Sequence, residues 1–372
     1  MLIDLAAADA VDANIGDIIA NVQLIAGAAD LEHVLAHTAP VWRELNGARI
    51  FITGGTGFFG CWLLESLAFA RDRLNLDIAA TVLTRSPEAF RGKAPHLAGH
   101  PAIRLAAGDV RGLKLDNERF THVIHAATEA TPALNRDRPM EMLESIAEGT
   151  RRTLDFAAAC GARRFLLTSS GAVYGSQPPD LTHLPETYAG APDTCDPQWA
   201  YAEGKRMAEM LCAIWHRRHG LECVIARGFA FVGPFLPLDA HFAVGNFIGN
   251  CLRGESVEIR GDGTPHRSYL YAADLAIWLW TLLARGTPMR PYNVGSERDV
   301  TIAELAHIVA ATLGRPNDVK IAGVPTPGAP AERYVPSTAR ARAELGLQEH
   351  IGLEESIRRT AAWAVGAAAS QV

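Results

Sequence analysis

The stretch FITGGTGFFG, residues 51–60, constrains this chain more than any other. A short apolar run, RIFIT, leads into it, and a helical stretch, CWLLESLAFARDRL, leads out. Gly54, Gly57 and Gly60 therefore fall at GxxGxxG spacing between a strand and a helix. In such a turn one glycine permits the tight bend and another lets a pyrophosphate approach the backbone. The third lets helix and sheet pack closely. The helix N-terminus adds free N–H groups and a partial positive charge. The context predicts a dinucleotide site; the alternative is a purely structural turn.

The rhythm continues with IAATVLT, AIRLAAGDV, THVIHAAT and RRFLLTSS as strand units, with helices such as ESIAEGTRRTLDFAAACG between them. Strand and helix alternating at this spacing predict an α/β fold of the Rossmann type, a doubly wound parallel sheet with helices on both faces. The organisation expected is a helical extension over residues 1–47 and a dinucleotide-binding domain over 48–231. A smaller, interleaved C-terminal substrate-binding lobe follows over 232–372. In the extension, DLEHVLAHTAPVWREL places Leu31, Val34, Leu35, Val41, Trp42 and Leu45 at helical spacing, with Pro40 interrupting. It reads as a helix that docks on the body or on a second subunit, and carries no chemistry.

Charge and composition exclude some functions. Lys and Arg number 35 against 41 Asp and Glu, a net charge of −6 that argues against a nucleic-acid binder. None of the six cysteines forms a CxxC pair and no zinc-type spacing occurs, so no metal site is expected. The most apolar segment, YLYAADLAIWLWTLLA, is short and carries Asp274, which predicts a buried helix rather than a membrane span. The start, MLIDLAAADAVDANIGD, lacks a basic region of the kind that opens a signal peptide. A soluble, cytoplasmic protein is expected.

QWAYAEGK, residues 198–205, sets Tyr201 four residues before Lys205, one helical turn apart and on one face. A phenol beside an ammonium makes a proton acceptor, although YxxxK alone is a weak pattern. The end of the second strand reads TVLTRS, where a dinucleotide site usually carries an acid for the adenosine ribose. Arg85 and Ser86 stand there instead. A guanidinium suits a 2′-phosphate, so NADP is as open as NAD. Asp109 in GDVRGL could bond the adenine amino group or cap a helix.

With the glycine loop, TSSGAVYG, YAEGK, HVIHAAT, FVGP, GDGTPHRSYLYAADLA and YNVGS in order, residues 48–347 resemble the extended short-chain dehydrogenase/reductases, specifically the nucleotide-sugar epimerase/dehydratase group. The resemblance implies catalytic Ser170, Tyr201 and Lys205. It implies cofactor contacts from Gly54, Gly57, Phe58, Phe59, Gly60, Arg85, Asp109, Val110, Ala126, Ala127, Tyr201 and Lys205. NAD, tightly bound, is the cofactor it favours. It places the nucleotide-diphosphate sugar against Asn246, Arg267 and Arg333, with His241 in the same pocket. Asp274 matches a structural position, and a homodimer through two helices is expected.

The chain also departs from the group. Sugar 4,6-dehydratases carry an Asp-Glu pair after the catalytic Ser or Thr, and related decarboxylases of uronic sugars place a Glu in this region. Here Gly171 and Ala172 follow Ser170, and neither moves a proton. Glu186 and Glu203 are the nearest substitutes. Ala230 stands where relatives often have a substrate-contacting Asn. A C4 epimerase needs only the Ser–Tyr–Lys set, so a nucleotide-sugar epimerase is the leading expectation. A dehydratase or decarboxylase with relocated acids, an NADPH-dependent keto-sugar reductase, and a non-catalytic NAD(P)-binding regulator are the alternatives.

Overall fold

The structure, a computed structural model, describes residues 27–113, 118–128, 132–240, 242–316 and 318–369. His241 and the first 26 residues of the extension lie outside the described residues. Labels below cover the main-sheet strands and the helices of ten residues or more.

Seven parallel strands form that sheet: β1 (Arg49–Thr53), β2 (Ala79–Thr84), β3 (Ile103–Ala107), β4 (His122–His125), β5 (Arg164–Ser170), β6 (Glu222–Gly228) and β7 (Pro291–Val294). Their order is β7-β6-β5-β4-β1-β2-β3. The winding reverses between β1 and β4, and that is where an open α/β sheet leaves a crevice beyond its strand ends.

Period-2 alternation divides the strand residues between two cores. Ile50 and Ile52 of β1 face one side with Val82, Ile124 and Val224, while Phe51 faces the other with Val123, Phe165 and Cys223. Helices α3 (Pro139–Ala159) and α4 (Ala200–His219) pack side by side on the Phe51 face. Helices α1 (Ala28–Glu44), α2 (Phe58–Leu74) and α6 (Ala272–Arg285) cover the Ile50 face.

Helix α6 is buried on nearly every side, from Ala272 to Leu283. The sheet meets one side and α1 the other, so α6 needs no polar face. Trp42 of α1 is fully buried, its ring 4.6 Å from that of Trp280. Asp30 accepts a hydrogen bond from Tyr271 Oη at 2.6 Å and pairs with Arg359. Asp274 ties the layers together: it accepts from the backbone N–H of His350 at 2.8 Å and of Ile351 at 3.0 Å, and lies 3.1 Å from His33 Nε2. Pro40 does not interrupt α1, contrary to expectation. It sits on the exposed side, where the carbonyl it leaves unpaired can meet water.

The C-terminal lobe has its own core, built by α5 (Ala243–Leu252), α7 (Ile302–Thr312) and α8 (Leu353–Ala369) with Val257, Ile259 and Tyr269. Between α6 and α7 the chain returns to the main sheet as β7, which pairs with β6. No described helix is long and apolar enough to cross a membrane.

Candidate active site

Two cavities meet at the glycine loop and share Gly54, Gly57, Ala126 and Thr128. Each glycine of the loop has a separate physical reason. Gly54 has φ +73°, and a Cβ there would sit 2.5 Å from the Ala126 carbonyl carbon. A Cβ on Gly60 would sit 2.3 Å from the Gly55 backbone, so Gly60 lets α2 seat against the loop. At Gly57 a Cβ would meet only the Gly54 carbonyl oxygen, at 3.5 Å. Packing does not demand glycine there; the close approach it permits is to whatever fills the cavities. Gly57 is also the N-cap of α2 and leaves that helix without a side-chain cap. These features fit a dinucleotide pyrophosphate.

The first cavity, about 570 Å³, spreads over the ends of β1, β2 and β3. Arg85, Asp109, Val110 and Ala127 line it, with Ser86, Lys93, Arg111 and Glu141. Asp109 caps the turn Val110–Gly112, accepting from the Arg111 backbone N–H at 2.9 Å and from Arg111 Nε at 3.0 Å. The Arg111 side chain holds its carboxyl below the usual range, with Arg85 adding to the effect.

The second cavity, about 800 Å³, runs from the glycine loop across the ends of β5 and β6 to the C-terminal lobe. Ser170, Tyr201 and Lys205 line it together, with Phe58 and Phe59. Ser170 ends β5, and its Oγ caps the following turn by accepting from the Ala172 N–H at 3.2 Å. Tyr201 opens α4. Asn135 holds that end, accepting from the Tyr201 N–H at 3.0 Å and donating to the Gln198 carbonyl at 2.6 Å. Gly204 brings α4 close to α3, since a Cβ there would meet Ile146 Cδ1 at 3.0 Å.

Lys205 is buried and donates to Thr128 Oγ1 and to the Thr168 carbonyl, each at 2.8 Å. Burial pulls its ammonium down to about 8, with Glu209 working against that shift. Burial likewise raises the Tyr201 phenol, with the Ser170 hydrogen bond opposing it. The Lys205 ammonium lies 5.9 Å from the Tyr201 ring centroid. In the protein alone burial, opposed by Ser170 and not by the Lys205 ammonium, therefore sets the direction of the Tyr201 shift.

The substrate-side residues separate. Arg267 lines the second cavity, and its guanidinium donates to Glu332 Oε1 at 2.6 Å. Arg333 does not line it. His266–Ser268 and Arg333–Tyr334 are paired strands in which Arg333 stands opposite His266 and Tyr334 opposite Arg267. Alternation sends Arg333 to Asp299, 2.7 Å away, beside His266, and sends Tyr334 into the cavity. Asn246 lies on α5 beyond Phe242, Ala243 and Val244, which form the wall, and does not line the cavity either. Of the residues expected to meet the substrate, Arg267 therefore lines the second cavity while Arg333 and Asn246 do not, and Tyr334, which the sequence reading did not single out, does. Tyr334 Oη lies 3.4 Å from Ser170 Oγ and donates to the Gly228 carbonyl at 3.4 Å, and burial raises its phenol. A strand of two residues carries no periodicity of its own, so only its pairing with His266–Ser268 reveals which side chain faces the cavity.

No Asp or Glu among the described residues lines the second cavity. Glu186 is buried elsewhere, accepting from the Asn293 N–H at 2.9 Å. Glu203 lies 3.7 Å from Arg206 on α4 and lines neither cavity. Gly171 packs beneath Phe229, whose ring atoms would lie 2.6 Å from a Cβ there.

The family model described as NAD dependent epimerase/dehydratase matches residues 50–295. The chain belongs to that family. Within it, similar curated proteins are UDP-glucuronic acid decarboxylases. The one numbered 3 in Arabidopsis thaliana is 33% identical over 310 residues, covering 83% of this chain and 86% of that protein. UDP-glucuronic acid decarboxylase 1 of Danio rerio is 29% identical over 85% of this chain and 72% of its own length. Family structures share the fold. DesIV, a dTDP-glucose 4,6-dehydratase from Streptomyces venezuelae with NAD and TYD bound, superposes with a TM-score of 0.74 at 24% identity, covering 85% of this chain and 97% of that one. A UDP-glucose 4-epimerase from Thermotoga maritima with UDP-glucose gives 0.73 at 22% identity, covering 85% and 98%.

Proposed function

We propose that this family member is an NAD(P)-dependent epimerase acting at C4 of a nucleoside-diphosphate sugar. The observation that carries the reading is the absence of any carboxylate from the described wall of the second cavity, where Ser170, Tyr201 and Lys205 stand together. A bound nicotinamide would supply the hydride acceptor and a cationic ring. Tyr201 takes the proton of the C4 hydroxyl, and Ser170 holds the oxygen that becomes the carbonyl. Lys205 binds the nicotinamide ribose and adds positive charge behind the phenol. Returning hydride to the opposite face of C4 needs only that Tyr201 give its proton back. Removing water across C5 and C6 would need an acid and a base that Gly171 and Ala172 do not offer.

Arg267 supports the diphosphate by a charge-assisted bond once it is drawn from exposed Glu332. The apolar wall of Phe229, Phe231 and Tyr269 leaves room for the sugar to turn over. The exposed Met140 of α3 and Met207 and Met210 of α4 make that helix pair the surface through which we expect a homodimer to form.

A second reading is decarboxylation of a nucleotide uronate, which the 33% identity to the Arabidopsis decarboxylase favours. Oxidation at C4 makes a uronate a β-keto acid, which loses carbon dioxide without a carboxylate base. The protonated phenol of Tyr334 could then return a proton to C5. Incubating the protein with UDP-, dTDP-, GDP- and CDP-hexoses and with UDP-glucuronate separates the two. An isomer of unchanged mass and inverted C4 supports epimerisation; loss of carbon dioxide overturns it in favour of the second reading.

A further inference from the structure

Whatever is done to the sugar, the first cavity bears on which dinucleotide does it. The ribose of an NAD adenosine presents a 2′,3′-diol, which is held best by a carboxylate that accepts two hydrogen bonds. The place for that carboxylate is the residue just past β2, and here it is Arg85. Ser86 follows and spends its side chain on the N–H of Ala89. From Thr84 to Lys93 the one acid is Glu88, which pairs with Arg91 and does not line the cavity.

A second cation stands across the same opening. Lys93 Nζ donates to the carbonyl of Thr56, inside the glycine loop, at 2.9 Å. Both Arg85 and Lys93 are exposed to solvent and line the cavity. Thr56 directly precedes Gly57, so Lys93 is held where the loop turns towards the pyrophosphate. The acids on this wall are Asp109 and Glu141, and Asp109 is taken by the Arg111 side chain and backbone. Arg85, Lys93 and Arg111 against two carboxylates leave the adenosine end of the cavity net positive. A diol gains nothing from that surplus, whereas a dianionic monoester gains charge-assisted bonds.

We propose that Arg85 and Lys93 form a binding site for the 2′-phosphate of the adenosine ribose, so that this chain selects NADP(H) over NAD(H). The inference rests on the dinucleotide reading of the glycine loop and is independent of the fate of the sugar. Arg85 supplies a planar fork for two phosphate oxygens, and Lys93 a point charge that also pins the loop.

Isothermal titration of nucleotide-stripped protein with NADP+ and with NAD+ tests it. The expected result is NADP+ bound at least about tenfold more tightly, as one added charge-assisted contact would give. Arg85→Ala should weaken NADP+ several-fold and leave NAD+ within about twofold, which also shows that the variant is folded, and Lys93→Ala, which also frees the loop, should weaken NADP+ by a clearly larger factor than NAD+. 2′-AMP should displace NADP+ better than 5′-AMP. Equal or tighter binding of NAD+ overturns the proposal, as do variants that weaken both dinucleotides alike. If neither dinucleotide binds, the dinucleotide reading itself fails, and the 2′-phosphate site with it.

Discussion

Lys205 shows how burial and function compete at a single residue. Its ordinary value near 10.5 is pulled down to about 8 by desolvation. Between those two values the unfolded chain binds a proton that the folded protein does not. Stability therefore rises as pH climbs from about 8 to about 10.5, and the strain of holding a buried ammonium is fully present below pH 8. The variant Lys205→Met should lose activity yet keep or raise its melting temperature at pH 7. It should also lack the alkaline gain in stability that the parent shows, which thermal unfolding across pH will read. The two phenols should separate as well. Tyr201→Phe removes the group that moves the proton and is expected to lower kcat by a factor on the order of 1,000. Tyr334→Phe removes one long hydrogen bond to Ser170 and should cost about tenfold or less.

At the scale of elements, the loop glycines make opposed predictions. Gly60→Ala drives a Cβ into the Gly55 backbone and should destabilise the fold by a few kcal/mol in denaturant titration. Gly57→Ala finds room in the protein and should unfold normally while losing dinucleotide affinity. Helix α1 is tested by Trp42→Ala. Trp42 is fully buried against Trp280, so its loss should cost about 3–5 kcal/mol, although the residue is remote from both cavities.

Much at this scale was legible in the sequence. Strands such as RIFIT and RRFLLTSS are apolar because both faces are covered, and the loop after β1 announces itself by glycine spacing. What was hidden depends on which face a short element turns inward. Two residues at 333 and 334 have no periodicity of their own; their pairing with His266 and Arg267 turns Arg333 away from the second cavity and Tyr334 into it. On α5 it is Ala243 and Val244, not Asn246, that line the cavity. The uninterrupted course of α1 through Pro40 depended on which side of the helix is wet.

Across the whole molecule, the sheet places two cavities side by side with a shared glycine loop, and in the proposed reading their linings divide the work. The glycine-loop half offers cations to a dinucleotide. The other half brings Ser170, Tyr201, Tyr334 and Lys205 together against a wall that includes Phe229, Phe231 and Tyr269, with residues of the C-terminal lobe on its far side. That lining favours moving hydride on and off one carbon and disfavours breaking a C–H bond as a proton. Kinship to decarboxylases supports the second reading, and the proposal of epimerisation rests on Gly171 and Ala172 standing where a proton-moving pair would be needed. The most direct test is to run the reaction in deuterated water with the accepted nucleotide sugar and to examine the product by NMR. The account predicts inversion at C4 with no solvent deuterium on carbon, because the hydrogen leaves and returns as hydride. Deuterium at C5 would contradict it, since an enolate reprotonated from solvent is the signature of decarboxylation or dehydration.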